Sequence, residues 1–323
     1  MSDAPLVISS EVEKSLSRDI ADYPSGIVLP IDKPYRWTSA DVIRKVKFAA
    51  IKHFRKKNLK VGHAGTLDPL ATGVLLVCIG PACKRAQEFQ DHDKEYVAGI
   101  RFGATTPSYD LEKEVDRTFP YDKVTEEAVR TVLPSFLGKQ EQVAPLFSAK
   151  SVDGVRAYEM ARRMYRKAQK GLTDPDFDAA ALETLHHSTI TISELELLDF
   201  STAPSAPLEM TGLASGASAN GVGQNFIDLF SGEKILVRGV TADAQNTASS
   251  RINVADTSAL GLPEAHVRIA CSKGTYIRAF ARDLGEALGT GAHLSSLVRT
   301  KTGTFRLEDA LSLEDALALL AED

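Results

Sequence analysis

The stretch from Val61 to Leu76, VGHAGTLDPLATGVLL, constrains this chain more than any other. It places one carboxylate, Asp68, between a glycine-rich approach and an apolar run that reads as a buried strand. The glycines allow turns and close approach of another backbone. Pro69 acts the other way, pushing Asp68 out of the right-handed helical region into an extended conformation. A carboxylate on a stiff, non-helical backbone is suited to chemistry. An ordinary Asp-Pro turn before a strand would read the same way.

The longest apolar run, residues 74–79, is far too short to cross a bilayer. The first twenty residues lack the basic start and apolar centre of a signal peptide. Cys78, Cys83 and Cys271 show no metal-like spacing and read as reduced thiols of a cytoplasmic protein. A formal charge of −5 argues against a polyanionic partner until its distribution is considered. Residues 41–60 hold eight Lys or Arg and one acid; residues 151–170 hold six and two. Residues 171–233 hold ten acids and no Lys or Arg, and the last 17 residues hold six acids and no base. A basic surface on an acidic molecule can bind nucleic acid, because local potential governs contact.

In chain order, residues 1–24 read as a loosely held leader with a short amphipathic helix near 11–20. Residues 26–33 form a strand that Pro30 places near an edge or an end. Thr38 and Asp41 have capping-box spacing, and Val42, Val46, Ala50 and Phe54 recur every four residues as the core stripe of a helix. Further strands are expected at 74–79, 94–103, 188–200 and 266–271, with an extended segment over 294–305. Helices are expected at 81–90, 126–137, 157–169, from about 279 to 288, and from 313. In residues 201–262, 34 of 62 are Ala, Gly, Ser, Thr or Asn. That stretch reads as a loop-like insertion that folding can spare, with one hairpin island at 226–240. Strands and helices mix without a βαβ rhythm, which points to an α+β fold.

Tyr276 and Arg278 are two apart after Gly274, and in an extended segment both would face one way. An arginine sharing a cleft with Asp68 would orient the carboxylate and favour its charged form. Tyrosines offer a flat face and a hydroxyl to an extruded base.

Four separated motifs bear on identity: GHAGTLDPLATGVL, KEYVAGIRFGATTPSYD, PLFSAKSVDGVRAYEMAR and KGTYIRAFARDLGEALGTGAHLSSLVRT. Together they resemble the TruB-type tRNA pseudouridine synthases. The resemblance implies the pseudouridine-synthase fold, a mixed and largely antiparallel sheet with flanking helices and a central catalytic cleft. It also implies isomerisation of a T-loop uridine of tRNA without metal or organic cofactor, by a monomer needing no protein partner. By position, Asp68 matches the nucleophile, Tyr96 the residue stacked on the target base and a candidate for proton abstraction, and Arg278 the ion-pair partner of the aspartate. Tyr276 lies beside the base and His63 helps hold the flipped loop. Lys84, Asp110 and Leu297 match cleft positions. Many relatives carry a further C-terminal RNA-binding domain of the PUA type; none is expected here, so basic helices near 41–60 and 157–170 would grip the RNA. The other readings are a tRNA-binding folding factor whose chemistry is secondary, and a guide-dependent relative acting on ribosomal RNA.

Overall fold

A computed structural model describes residues 4–9, 16–145, 151–152, 155–156, 187–202, 225–229, 233–237, 252 and 254–321. The expected basic helix over 157–169 and most of the 201–262 stretch lie outside them. The described residues build one eleven-stranded sheet. Its strands are β1 (Leu6–Val7), β2 (Ile27–Lys33), β3 (Val61–Ala64), β4 (Thr72–Ile79), β5 (Lys94–Phe102), β6 (Gly138–Val143), β7 (His187–Ser201), β8 (Glu264–Cys271), β9 (Ala292–Thr302), β10 (Phe305–Arg306) and β11 (Leu311–Ser312). The spatial order is β1-β2-β4-β9-β5-β8-β7-β6; β3 adds to β4, β10 to β9 and β11 to β2. Helices α1 (Ser39–His53), α2 (Ala86–Asp91), α3 (Glu126–Val132), α4 (Ile277–Ala287) and α5 (Leu313–Ala318) flank it. The expected α+β class and mixed, largely antiparallel sheet are what the backbone shows.

Two mainly antiparallel halves meet where β4 and β9 run parallel, pairing only Val298 with Thr72 and Arg299 with Gly73. The approach is close enough that a Cβ on Gly73, at φ +99°, would stand 2.2 Å from the Arg299 carbonyl oxygen. Only glycine fits there. Every residue of β4 is buried. Leu75, Val77 and Ile79 face the main core, while Val74, Leu76 and Cys78 face a smaller cluster with Phe89. Burial on both faces explains why this strand reads as an unbroken apolar run. Pro30 lies where β2 needs no ladder donor, between its two short parallel neighbours. β1 pairs with Ile27 and Val28, and β11 with Ile31 and Asp32.

Helix α1 begins with the expected capping box: the Thr38 hydroxyl accepts from Asp41 N, and Asp41 accepts from Thr38 N, both at 3.0 Å. Val42, Val46, Ala50 and Phe54 are all buried, as their spacing predicts. The expected helix at 81–90 is a 3₁₀ turn, Gly80–Arg85, running into α2. The one at 126–137 is α3 followed by a 3₁₀ turn, Leu133–Phe136, with Pro134 in its first turn. The strands Asn225–Leu229 and Glu233–Val237 pair as the hairpin expected near there.

Two expectations need correction. The leader is not loose at its start, because Leu6–Val7 pairs with β2 and Ile8 is buried; a two-residue strand leaves no period to read. The low-complexity stretch is not spare at its C-terminal end. Ala255, Thr257 and Leu262 are buried, Ala255 N donates to Leu111 O at 2.8 Å, and Arg101 donates to the Thr257 hydroxyl at 2.8 Å. Small residues hid this, because they pack well without signalling it in composition. Replacing residues 203–262 by a Gly/Ser linker should therefore cost at least about 3 kcal/mol, from lost burial and an orphaned Arg101 donor. Replacing only 203–250 should cost little. Chemical denaturation of both variants checks this, and equal stability of the two would contradict it.

Candidate active site

Asp68 stands in the loop between β3 and β4, at the mouth of the parallel junction. Five ties fix that loop. Arg299 donates to Gly65 O at 3.1 Å. The Ser39 hydroxyl accepts from Leu67 N at 2.9 Å and donates to Leu67 O at 3.1 Å. Lys33 Nζ donates to Pro69 O at 3.2 Å, as well as to Trp37 O and Pro34 O. Ala71 N closes a turn onto Asp68 O at 3.1 Å. Gly73 N donates to Asp32 at 3.0 Å. Lys33, Ser39 and Arg299 are buried, so the loop rests on groups that cannot easily rearrange.

Arg278 meets Asp68 at two points, Nε to Oδ2 at 2.9 Å and Nη2 to Oδ1 at 3.2 Å. The arginine side chain is 5% exposed and the carboxylate side chain 38%. The pair thus has one buried member and one facing the cleft. Arg278 Nη1 also donates to Ser108 O at 3.2 Å, and Asp110 lies 3.8 Å from Nε. Burial opposes the guanidinium charge, but Asp68 and then Asp110 outweigh it and raise the Arg278 pKa. Burial pushes Asp110 up to about 6; Arg278 opposes that, and the Asp68 charge adds to it. Asp110 is held in turn by the Ser108 hydroxyl at 2.6 Å and Glu112 N at 2.9 Å.

The geometry at Tyr276 differs from the expectation. The two side chains are not neighbours on one extended strand: Tyr276 is the N-cap of α4, in extended conformation, and Arg278 is already helical. Gln142 fixes the corner, its side chain accepting from Tyr276 N at 2.8 Å and donating to Tyr276 O at 3.1 Å. Both residues still line one cleft of about 670 Å³, with Asp68, Tyr96, Leu297 and Arg299. Tyr96 on β5 pairs across the sheet with Arg299 on β9. Burial raises the Tyr96 pKa and Arg299 opposes it, so its resting form is the phenol. Leu297 also borders the recess behind Asp68 that Asp110 lines.

Two expected site residues are placed elsewhere. His63 lies on β3 and Lys84 is exposed on the 3₁₀ turn, and neither lines the cleft. Burial, then Arg299, lowers the His63 pKa, which leaves the imidazole neutral at pH 7. Sequence reasoning missed Lys33, Ser39, Arg299 and Gln142, and Lys94, which also lines the cleft. Arg299 and Lys94 lay within quoted motifs, at the end of SSLVRT and the start of KEYVAG, and that was the available signal. Among the described residues no His, Cys, Asp or Glu cluster could hold a metal ion. None of the described helices is long and apolar enough to cross a membrane.

A model of the TruB family pseudouridylate synthase N-terminal domain matches residues 52–211, and one of the tRNA pseudouridylate synthase B C-terminal domain matches residues 278–323. The "tRNA pseudouridine synthase B" of Phocaeicola vulgatus is 40% identical over 91% of this chain and 92% of its own length. Its namesake in Flavobacterium johnsoniae is 34% identical over 90% and 95%. A solved chain described as "Crystal Structure of a Cbf5-Nop10-Gar1 Complex" aligns with 90% of this chain and 53% of its own, at 22% identity and a TM-score of 0.49. The chain belongs to the TruB family of pseudouridylate synthases. The C-terminal match bears on the domain absent from the sequence-based expectation, since it falls on α4, β9 to β11 and α5, which are part of the sheet and its flanks.

Burial lowers the Lys33 pKa to about 7, against the opposing charges of Asp32 and Asp68. A lysine depressed on folding contributes stability that is full above its unfolded pKa and is lost as pH falls through the folded value. The stability of wild type relative to Lys33→Met should therefore rise between about pH 7 and pH 10. Urea denaturation across that range checks it; a flat difference would contradict the depressed pKa.

Proposed function

We propose that the protein isomerises the T-loop uridine at position 55 of tRNA to pseudouridine, with Asp68 as nucleophile. The relatives named above are called tRNA pseudouridine synthases, and family membership supports extending pseudouridine formation in tRNA to this chain. The observation that carries the reading is the two-point Arg278–Asp68 pair, buried on the arginine side and open on the carboxylate side.

In the reaction the N1–C1′ bond breaks, the base turns, and a C5–C1′ bond forms; C5 loses a proton and N1 gains one. Atoms balance within the substrate, so the step consumes no co-reactant. Asp68 attacks an electrophilic carbon, either C6 of the pyrimidine or C1′ of the sugar. Arg278 fixes the direction of attack and leaves one face of the carboxylate for the substrate. Tyr96 meets the base as a phenol, offering a stacking face and an O–H. To take the C5 proton it must first give up its own, which N1 of the detached base takes, while the adjacent Arg299 charge favours the phenolate. Tyr276 and Leu297 bound the same cleft and flank the base, and Asp110 backs Arg278. His63 supports the flipped loop of the RNA and Lys84 a phosphate, both from outside the cleft.

The enzyme acts as a monomer on the T arm, with exposed cations of α1 and the following turn meeting the phosphates. The three cysteines, all free thiols, fit the reducing cytoplasm. A folding factor for tRNA would need no anchored nucleophile, and a guide-dependent enzyme for ribosomal RNA is disfavoured by the names of the tRNA-acting relatives. Incubating purified protein with an unmodified tRNA transcript should convert the T-loop uridine with many turnovers per enzyme. Mapping pseudouridine by sequencing reads the position. Conversion elsewhere would overturn the substrate assignment, and at most one conversion per enzyme would overturn catalysis as the main role.

A further inference from the structure

Helix α1 buries one face and exposes an unusual one. Val42, Val46, Ala50 and His53 face inward. On a 3.6-residue period Phe48 points the opposite way, and at 68% exposure it is the most exposed large apolar side chain among the described residues. A lone exposed phenylalanine is ordinary. This one stands among charges. Arg44 and Lys45 precede it by four and three residues and Lys52 follows by four, the spacings that share a helix face, and all three are exposed. Lys52 Nζ lies 5.7 Å from the centre of the Phe48 ring. All eight Lys and Arg residues between 41 and 60 are exposed, and the acid among them, Asp41, is taken up by the Thr38 cap and by Arg44.

We propose that the Phe48 ring is a stacking platform for an unpaired base of the tRNA, with its neighbouring cations holding the adjoining phosphates. Every base offers a π face, and an aromatic ring in a cationic surface recognises single-stranded nucleic acid through stacking and phosphate contact together. A protein partner would want a wider apolar patch; here one ring is framed by charge. Its position fits an RNA whose target nucleotide lies in the cleft. The N-terminal residue of α1, Ser39, grips Leu67 beside Asp68. Nine residues on, at about 1.5 Å each, Phe48 lies roughly 14 Å along the helix from that point. That is less than the width of an RNA helix, so a base outside the target loop could reach it.

The inference rests on the tRNA reading but is tested separately from it. Dissociation constants would be measured for unmodified tRNA transcript and for a fully paired RNA duplex of similar length. The proteins compared would be wild type and the variants Phe48→Ala, Phe48→Leu and Phe48→Trp, all expected to fold because the side chain is exposed. Phe48→Ala should weaken tRNA binding roughly five- to a hundredfold and leave duplex binding within about twofold, since a duplex has no base to offer. Phe48→Leu should resemble Phe48→Ala, and Phe48→Trp should bind tRNA at least as tightly as wild type. Unchanged tRNA binding in Phe48→Ala, equal losses for tRNA and duplex, or wild-type binding by Phe48→Leu would each overturn the platform. The last result would make the ring a plain apolar contact rather than a stacking face. Tight tRNA binding by a wild-type protein that forms no pseudouridine would instead sink the enzymatic reading; the same binding comparisons would still decide the platform.

Discussion

A guanidinium taken out of water is costly unless its charge and its donors are matched. Arg278, 5% exposed, is matched by Asp68 through a hydrogen bond from Nη2 and a charge contact at Nε, by Ser108 O, and more distantly by Asp110. The rest of the site depends on that match. Because the arginine is dry and cannot leave, Asp68 is held from behind while its open side faces the cleft. Burial, helped by the Asp68 charge and opposed by Arg278, pushes the Asp110 pKa up to about 6.

The loop beneath the carboxylate is equally constrained. Ser39, at the first turn of α1, fixes Leu67; Lys33, at the end of β2, fixes Pro69; Arg299, on β9, fixes Gly65. Three different elements therefore set one loop, and the close β4–β9 approach at Gly73 locks its exit. Placement to within a fraction of an ångström is what nucleophilic chemistry demands, and a rigid support from several elements supplies it.

The carboxylate loop, helix α1 and the run of buried strands were legible because each rests on local signals: Asp-Pro geometry, capping-box spacing, apolar runs; Arg278, 210 residues from Asp68, was placed beside it only by the family resemblance. The ties that hold the loop were not legible. Ser39 and Leu67 are 28 residues apart and Arg299 and Gly65 are 234 apart, and neither pair leaves a local pattern. The α4 start was misread for a related reason: Tyr276 is turned into its cap by Gln142, on a distant strand, and no spacing near Gly274 announces it. The stretch ending at residue 262 was misjudged because small residues that are buried and hydrogen-bonded to Leu111 and Arg101 look, in composition, like those of a loop.

The central claim is that Asp68 supplies an anionic nucleophile on a scaffold that binds RNA without it. Asp68→Asn keeps the shape and an acceptor for Arg278 but removes the charge. Single-turnover pseudouridine formation and the tRNA dissociation constant, measured side by side, test this most directly. The expected result is loss of product by many powers of ten with the dissociation constant changed less than about fivefold, that is by less than about 1 kcal/mol. Substantial product from Asp68→Asn would contradict the account.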